Sequence, residues 1–294
     1  MRADKVAFGY REVSPAEKRR LVRDQFSPIA ATYDLADTLL SFGQDARWRR
    51  IAVGLLGLRN GDSVLDACGG TAGLARLSAR RVGPAGRVVV YDFNRPMIEK
   101  GRRRVAADTR PGLISFVLGD AEEVSFPDGS FDAVTIGFGL RNLVRPERGL
   151  GEFFRVLRPG GQLMILEFSL PVNRILRALY QWYSFYWMPL AGRLVCGTGA
   201  SFRYLAESIR VFPGPDELAR KIREAGFTGV RFRRLTNGIA VAYLAAKPGT
   251  QSCREDRRQA SGRGGLGETI PRGGDCSSGK SRRPMGAGRA EDRG

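Results

Sequence analysis

Histidine is absent from the chain. That removes the usual general base, the commonest metal ligand and every Ser-His or Cys-His mechanism at once. Any chemistry here runs without imidazole. The four cysteines, Cys68, Cys196, Cys253 and Cys276, are widely scattered and form no CxxC pair, so they signal neither a zinc site nor a disulfide framework. No signal-peptide pattern occupies Met1 to Tyr10, and a reducing cytoplasm is the expected compartment. No internal repeat is visible either.

What the chain does have is apolar content for a core, 43% of its 294 residues, and an excess of positive charge. It carries 48 Lys+Arg against 30 Asp+Glu, a net +18 with a pI near 10.6. Such a balance attracts nucleic acid or an anionic membrane surface, and an arginine-rich composition gives the same number with no polyanion partner. From about Gly249 to Gly294 the composition turns to Gly, Ser, Arg and Pro. This reads as a disordered basic tail that cannot offset its ordering entropy. With ten Lys+Arg and six Asp+Glu it holds little of the net charge, so the folded part is itself basic.

Between Ser63 and Ile239 short β-branched runs alternate with helical stretches. "SVLD", "RVVVYD", "ISFVL", "DAVTIGF" and "QLMILEF" read as buried strands. Between them "AGLARLSARR", "RPMIEKGRRRVAA" and "PERGLGEFFRVLRPGG" carry apolar residues at helical spacing. Pro96 and Pro146 suit helix starts, and Gly160-Gly161 is expected to end the last helix. Strand, helix, strand at this spacing predicts an α/β fold with a doubly wound parallel sheet and ligands at the carboxyl ends of its strands.

The first of those ends runs into "DACGGTAG". A phosphate-binding loop needs GxxxxGK[ST], and no lysine stands here. A dinucleotide fingerprint needs GxGxxG, which Gly69, Gly70 and Gly73 do not supply. The remaining reading, an acid followed by a glycine turn, is the first motif of the Rossmann-like S-adenosylmethionine-dependent methyltransferases. A tight turn with no ligand is the bland alternative. Against it stand Asp92, placed to accept hydrogen bonds from both hydroxyls of a ribose, and Asp120, after the third strand, where such folds hold adenine. Three carboxylates at three successive strand ends suit a cationic ligand and would repel a pyrophosphate.

Longer stretches carry a more specific resemblance. Phe138 to Pro171, "FGLRNLVRPERGLGEFFRVLRPGGQLMILEFSLP", and Ser201 to Phe227, "SFRYLAESIRVFPGPDELARKIREAGF", resemble the signatures of the quinone-biosynthesis C-methyltransferases. These are the demethylmenaquinone and 2-polyprenyl-6-methoxybenzoquinol methyltransferases. Phe26 to Arg50 is similar to their opening segment and "LTNGIAVAYLAAKP" to their closing strands. The resemblance implies a Rossmann-like class I fold, with a mostly parallel seven-stranded sheet and helices on both faces. It implies a methyltransferase domain over 25–248, with an aromatic lid or substrate insertion at 175–210, between a basic extension at 1–24 and the tail at 249–294.

It also implies S-adenosylmethionine as methyl donor, with no metal. Thr71, Asp92, Asp120 and Ala121 are the implied contacts, and Asp66, Gly69 and Gly70 shape the loop. Three positions depart from the family's pattern: Ala72 replaces a loop glycine, Asp120 stands where Asn is common, and Gly137 replaces a serine. Ala72 is tolerated unless its torsion angle is positive.

Methylating a ring carbon needs an electron-rich arene, so the enzyme should favour phenolate over phenol. Arg141 and Asn142 are the candidates for orienting and polarising the substrate oxygen, with Asp120 as a further catalytic candidate and a carboxylate or water to take the proton. The alternative is a loop in which Asn142 caps the next helix and Arg141 pairs with Glu147. Ile175 to Val195, "ILRALYQWYSFYWMPLAGRLV", is unusually aromatic, yet Arg177, Gln181 and Pro189 interrupt it as a membrane span. It reads as a lid that admits a polyprenyl tail and touches an anionic inner leaflet, or as the packed core of an inserted helix. The expected partners are a polyprenylated quinol and a membrane surface. Nucleic acid is not expected, because "GFGLRN" stands where amino-methylating enzymes carry an Asn/Asp-Pro-Pro-aromatic tetrapeptide. A benzoquinol acceptor and a silent cofactor-binding scaffold stay open beside the favoured demethylmenaquinol.

Overall fold

The chain opens with a short antiparallel hairpin, β1 (Val6–Phe8) and β2 (Arg11–Val13), followed by helices α1 (Pro15–Phe26), α2 (Tyr33–Leu40) and α3 (Gln44–Leu55). The structure, a computed structural model, describes residues 4–30, 32–107 and 112–249, and of Tyr33 the backbone only; all belong to the unit Met1–Cys253. Apart from Gly249, the expected tail lies outside the described residues. The stretch set apart as a basic extension contains folded elements. Ser14 caps α1 by accepting a hydrogen bond from Glu17 N at 3.2 Å, and Pro15 opens the helix where its missing N–H costs nothing.

The anticipated alternation follows. β3 (Ser63–Ala67), α4 (Gly73–Val82), β4 (Arg87–Asp92), α5 (Arg95–Ala106), β5 (Ile114–Leu118), β6 (Phe131–Gly137), α6 (Pro146–Val156) and β7 (Leu157–Phe168) build the parallel part of the sheet. Three helices then intervene, α7 (Arg174–Trp182), α8 (Met188–Cys196) and α9 (Ala200–Val211), with a π-helical turn at Tyr183–Trp187 between the first two. After α10 (Pro215–Glu224), β8 (Thr228–Leu235) and β9 (Ala240–Ala246) complete a seven-stranded sheet of order β5-β4-β3-β6-β7-β9-β8. β9 runs antiparallel to both neighbours, so the expected doubly wound, mostly parallel α/β sheet is present.

Burial on both faces explains why the inner strands read as continuous apolar runs. In β4, Val88 and Val90 join a core with Trp48, while Val89 and Tyr91 join another with Phe131 and Phe153. Two boundaries differ from the sequence reading. α6 ends at Val156, before Gly160-Gly161, because Pro159 disfavours helical backbone at Arg158. Of the expected closing strands in "LTNGIAVAYLAAKP", Leu235 to Pro248, only β9 lies wholly within that stretch. Its partner is β8, whose Arg231, Arg233 and Arg234 mask the alternation.

Candidate cofactor and acceptor site

The winding of the sheet reverses beside β3, since the strands β4 and β5 lie to one side of it and β6 to the other. A crevice opens at the carboxyl ends of β3 and β6, the place where such sheets bind ligands. The turn from β3 into α4 forms its floor. Cys68, Gly70 and Ala72 take positive φ there, at 50°, 48° and 65°. Left-handed backbone is unfavourable for any residue with a Cβ, so the turn needs support from its surroundings. Asp66 supplies it from below: its carboxylate accepts from Ala75 N at 3.0 Å and from Thr135 Oγ1 at 2.8 Å. Burial raises the Asp66 carboxyl to about 7, with both hydrogen bonds opposing the rise. A Cβ on Gly69 would lie 2.8 Å from the Asp66 carbonyl oxygen, so only glycine fits.

Asp92, at the end of β4, holds the same turn from the side. One carboxylate oxygen accepts from Gly70 N at 2.9 Å and the other from Asn94 N at 2.8 Å. Burial pushes its carboxyl up to about 6 against those bonds. Thr71 donates its hydroxyl to Asp34 of α2 at 2.8 Å, and Asp34 pairs with Arg104 of α5 at 2.6 Å. Gly69, Gly70, Thr71 and Asp92 thus line one cavity, with Phe93, Met97 and Asn142 around them and Val22 and Phe26 of α1 across it. The other cofactor residues expected are elsewhere. Asp66 lies beneath the turn. Asp120 accepts from Glu122 N at 2.9 Å and pairs with Arg19 at 2.9 Å, while Ala121 is buried in the core. The structure does not bring Asp120 into the lining of this cavity or of the next.

Arg141 and Asn142 form a 3-10 turn after β6. Arg141 is buried, donating from Nη1 to the Phe138 carbonyl at 2.5 Å and to the Glu167 carboxylate at 3.0 Å. The expected alternatives for this turn do not occur: Glu147 pairs with Lys221 at 2.7 Å, and Arg145, with no side-chain cap bond, stands at the start of α6. Asn142 donates to the Phe138 carbonyl at 3.3 Å and accepts from Tyr204 OH of α9 at 3.1 Å. Arg141 also lines a second, mostly apolar cavity with Phe26, Asp37, Phe168 and Phe202. The two cavities share Phe26, and the stacked rings of Phe138 and Phe168, 4.1 Å apart, stand one in each lining.

Sequence reasoning missed Asp34, Asp37, Asn94 and Glu167. Asn94 before Arg95-Pro96 is a helix-cap signal, and it accepts from Met97 N at 3.2 Å. Glu167 could have been found as the one acid in the apolar run "LMILEF". Asp34 and Asp37 share a helix face by their spacing, but nothing local says that this face meets the turn after β3.

The residues present fit S-adenosylmethionine. The cradle is glycine where a Cβ would collide, the Asp92 carboxylate lines it, and among the described residues its one lining cation, Arg49, is engaged by Asp37 and Asp45. Such a donor set suits hydroxyls, an amine and a flat ring, and it disfavours phosphates.

Comparison with known proteins agrees. Residues 13–247 match the model of the ubiE/COQ5 methyltransferase family. The ubiquinone/menaquinone biosynthesis C-methyltransferase of Pseudomonas entomophila is 44% identical over 241 residues, covering 82% of this chain and 94% of that protein. Its counterpart in Pseudomonas putida matches equally, at 44% over the same shares of each chain. Among solved structures, phosphoethanolamine N-methyltransferase 2 of Haemonchus contortus in complex with S-adenosyl-L-methionine superposes with a TM-score of 0.57 at 15% identity, over 77% of this chain and 60% of that one. At that identity the likeness speaks for the fold alone. By sequence, the chain belongs to the ubiE/COQ5 methyltransferase family.

Proposed function

We propose that this methyltransferase moves a methyl group from S-adenosylmethionine to a ring carbon of a polyprenylated quinol, demethylmenaquinol foremost. The observation that carries this reading is the pairing of two cavities: an acid-lined glycine cradle without phosphate-binding groups, and beside it an apolar cavity holding Arg141. The named relatives act in ubiquinone and menaquinone biosynthesis, which supports a quinol acceptor of either ring type. When bound, S-adenosylmethionine supplies the electrophilic methyl group. Gly69, Gly70, Thr71 and Asp92 would hold it, with Asp92 toward the ribose. Arg141 and Asn142 orient the acceptor oxygen from the turn after β6.

The helices after β7 support a lipid-borne acceptor. α7 buries none of its residues, and Ile175, Leu179, Trp182, Tyr186, Leu190 and Leu194 are all exposed at helical spacing. Phe42, also exposed, lies beside this segment, its ring 5.8 Å from that of Tyr183. No acid occurs between Glu167 and Glu207, whereas Arg174, Arg177, Arg193 and Arg203 do. Apolar and aromatic groups ringed by arginine suit peripheral contact with an anionic leaflet. No helix among the described residues is long and apolar enough to cross a membrane.

The test is methyl transfer from labelled S-adenosylmethionine to reduced demethylmenaquinol or the benzoquinol precursor in detergent. Label in the naphthoquinol is expected. Label in the benzoquinol alone moves the chain to the ubiquinone pathway, and bound cofactor without label in either favours the silent scaffold.

A further inference from the structure

We propose that Asp37 is the catalytic base of this enzyme, taking the proton of a quinol hydroxyl that reaches into the apolar cavity lined by Phe26, Ile29, Phe168 and Phe202. The proposal rests on the quinol reading above. In a chain without histidine the proton must go to a carboxylate or to water, and the acids near the two cavities can be compared one by one. Glu167 is buried and wholly engaged, both oxygens accepting from Arg141 and one also from Phe168 N. Asp92 has both oxygens tied to backbone N–H groups of the cofactor turn. Asp120 is bound to Arg19 outside both linings.

Asp37 differs from all three. Among the described residues it is the only carboxylate in the lining of the apolar cavity, and Arg141 is the only cation there. Arg49 holds one of its oxygens, Nη2 to Oδ2 at 2.7 Å, and no hydrogen bond between described residues engages Oδ1. Its side chain stays one-fifth exposed (20%) although apolar groups surround it. Arg49 lines the cofactor cavity as well, so the salt bridge fixes Asp37 at the junction of the two. A hydroxyl between Asp37 and Arg141 would meet an acceptor on one side and a positive field on the other.

The chemistry balances. The quinol O–H bond breaks and its proton passes to the Asp37 carboxylate. The ring carbon ortho to that oxygen forms a bond to the methyl group while the methyl–sulfur bond breaks, its electron pair staying on sulfur. The ring C–H then gives its proton to water and the aromatic ring is restored, with Asp37 returning its proton to the oxygen. One proton is released per methyl transferred.

Burial is also what makes the carboxylate basic enough. Asp37 is pushed up to about 6 by desolvation, and Asp45 and Asp34 add to the rise while Arg49 and Arg141 oppose it. Tyr204 of α9 lines the same cavity and stays neutral, its hydroxyl raised to about 12 by burial. With a raised value the carboxylate is protonated and idle below about pH 6 and competent above it.

Asp37→Asn in the full chain tests this with three readouts. For demethylmenaquinol, kcat is expected to fall on the order of 100-fold or more, the range for loss of a general base. With cofactor saturating, the acid limb near pH 6 of the unaltered enzyme should weaken, leaving only what Asp66 and Asp92 of the cofactor turn contribute, their carboxyls raised to about 7 and about 6. Calorimetric affinity for S-adenosylhomocysteine should stay within about twofold, and Asp37→Glu should keep the limb. The decisive comparison uses a ring-halogenated hydroquinone already ionised at the assay pH. That acceptor needs no base, so the variant should lose less than about tenfold against it. Equal losses on both acceptors, or loss of cofactor affinity in both variants, would make Asp37 a brace for Arg49 and overturn the proposal. So would an unchanged pH profile in Asp37→Asn. If the unaltered chain binds cofactor but methylates neither acceptor, the quinol reading itself fails, and the base assignment with it.

Discussion

The turn after β3 and the helices from Arg174 to Cys196 are built by opposite rules. At the turn, carboxylates are buried and their oxygens are taken up by hydrogen bonds, so that strained backbone at Cys68 and Ala72 is held in place. Along α7 and α8 the order is inverted: large apolar side chains face outward, Leu194 at 81% and Trp182 at 61% exposure. The first region is complete within the folded chain. The second leaves its apolar surface uncovered, as the proposed contact with a lipid phase requires. A deletion in the first should therefore act through structure and cofactor, and one in the second through partition into lipid with the fold untouched.

The largest effect is expected from Asp92→Ala. It leaves Gly70 N and Asn94 N without their acceptor, at about 1–3 kcal/mol for each buried donor. It also removes the carboxylate assigned to the ribose. Calorimetry on the folded variant should show S-adenosylmethionine affinity reduced beyond about 100-fold, in line with a lost charge-assisted pair of hydrogen bonds. An unchanged affinity would sink the ribose assignment and reduce Asp92 to a brace for the turn.

A middle-sized effect should come from Trp182→Ser combined with Tyr186→Ser. Their rings lie 6.3 Å apart on the exposed face. Each aromatic group can withdraw on the order of 150–250 Å² from water, so flotation with anionic vesicles should weaken by at least about tenfold. Thermal stability should move by less than about 2 °C, since little packing inside the protein is lost. Unaltered flotation would return the face to an unassigned apolar surface. A collapse of stability would mean that it packs on the chain itself.

The same contrast decides what could be read without the structure. The parallel strands were legible because burial on both faces writes them as short β-branched runs, and their acids were legible because Asp66 and Asp92 close such runs. The hairpin at Val6–Val13 was not, since three-residue strands carry too little pattern. Asp37 was hidden for a different reason. Its meaning comes from Arg49 on the next helix and Arg141 far along the chain, an encounter that only tertiary packing makes. The aromatic segment was visible from composition alone, but composition could not separate a packed helix from an exposed one, and α7 turned out to bury nothing.

The smallest effect belongs to Ala72, where the family's pattern has glycine. Its φ of 65° confirms the torsion that disfavours alanine, at about 1–2 kcal/mol. Yet Ala72 is fully buried beside Leu74 and Val90, and its methyl group withdraws from water for about 0.8 kcal/mol. Glycine would also add freedom to the unfolded chain, costing about 0.4–1 kcal/mol. The strain and the two compensations nearly cancel, which explains how alanine stands in a left-handed turn beside the cofactor cradle. Ala72→Gly should therefore shift stability by less than about 1 kcal/mol, or roughly 2–4 °C at most for a domain of this size. A larger gain would show the strain uncompensated, and a larger loss would show that packing of this one methyl group dominates the turn.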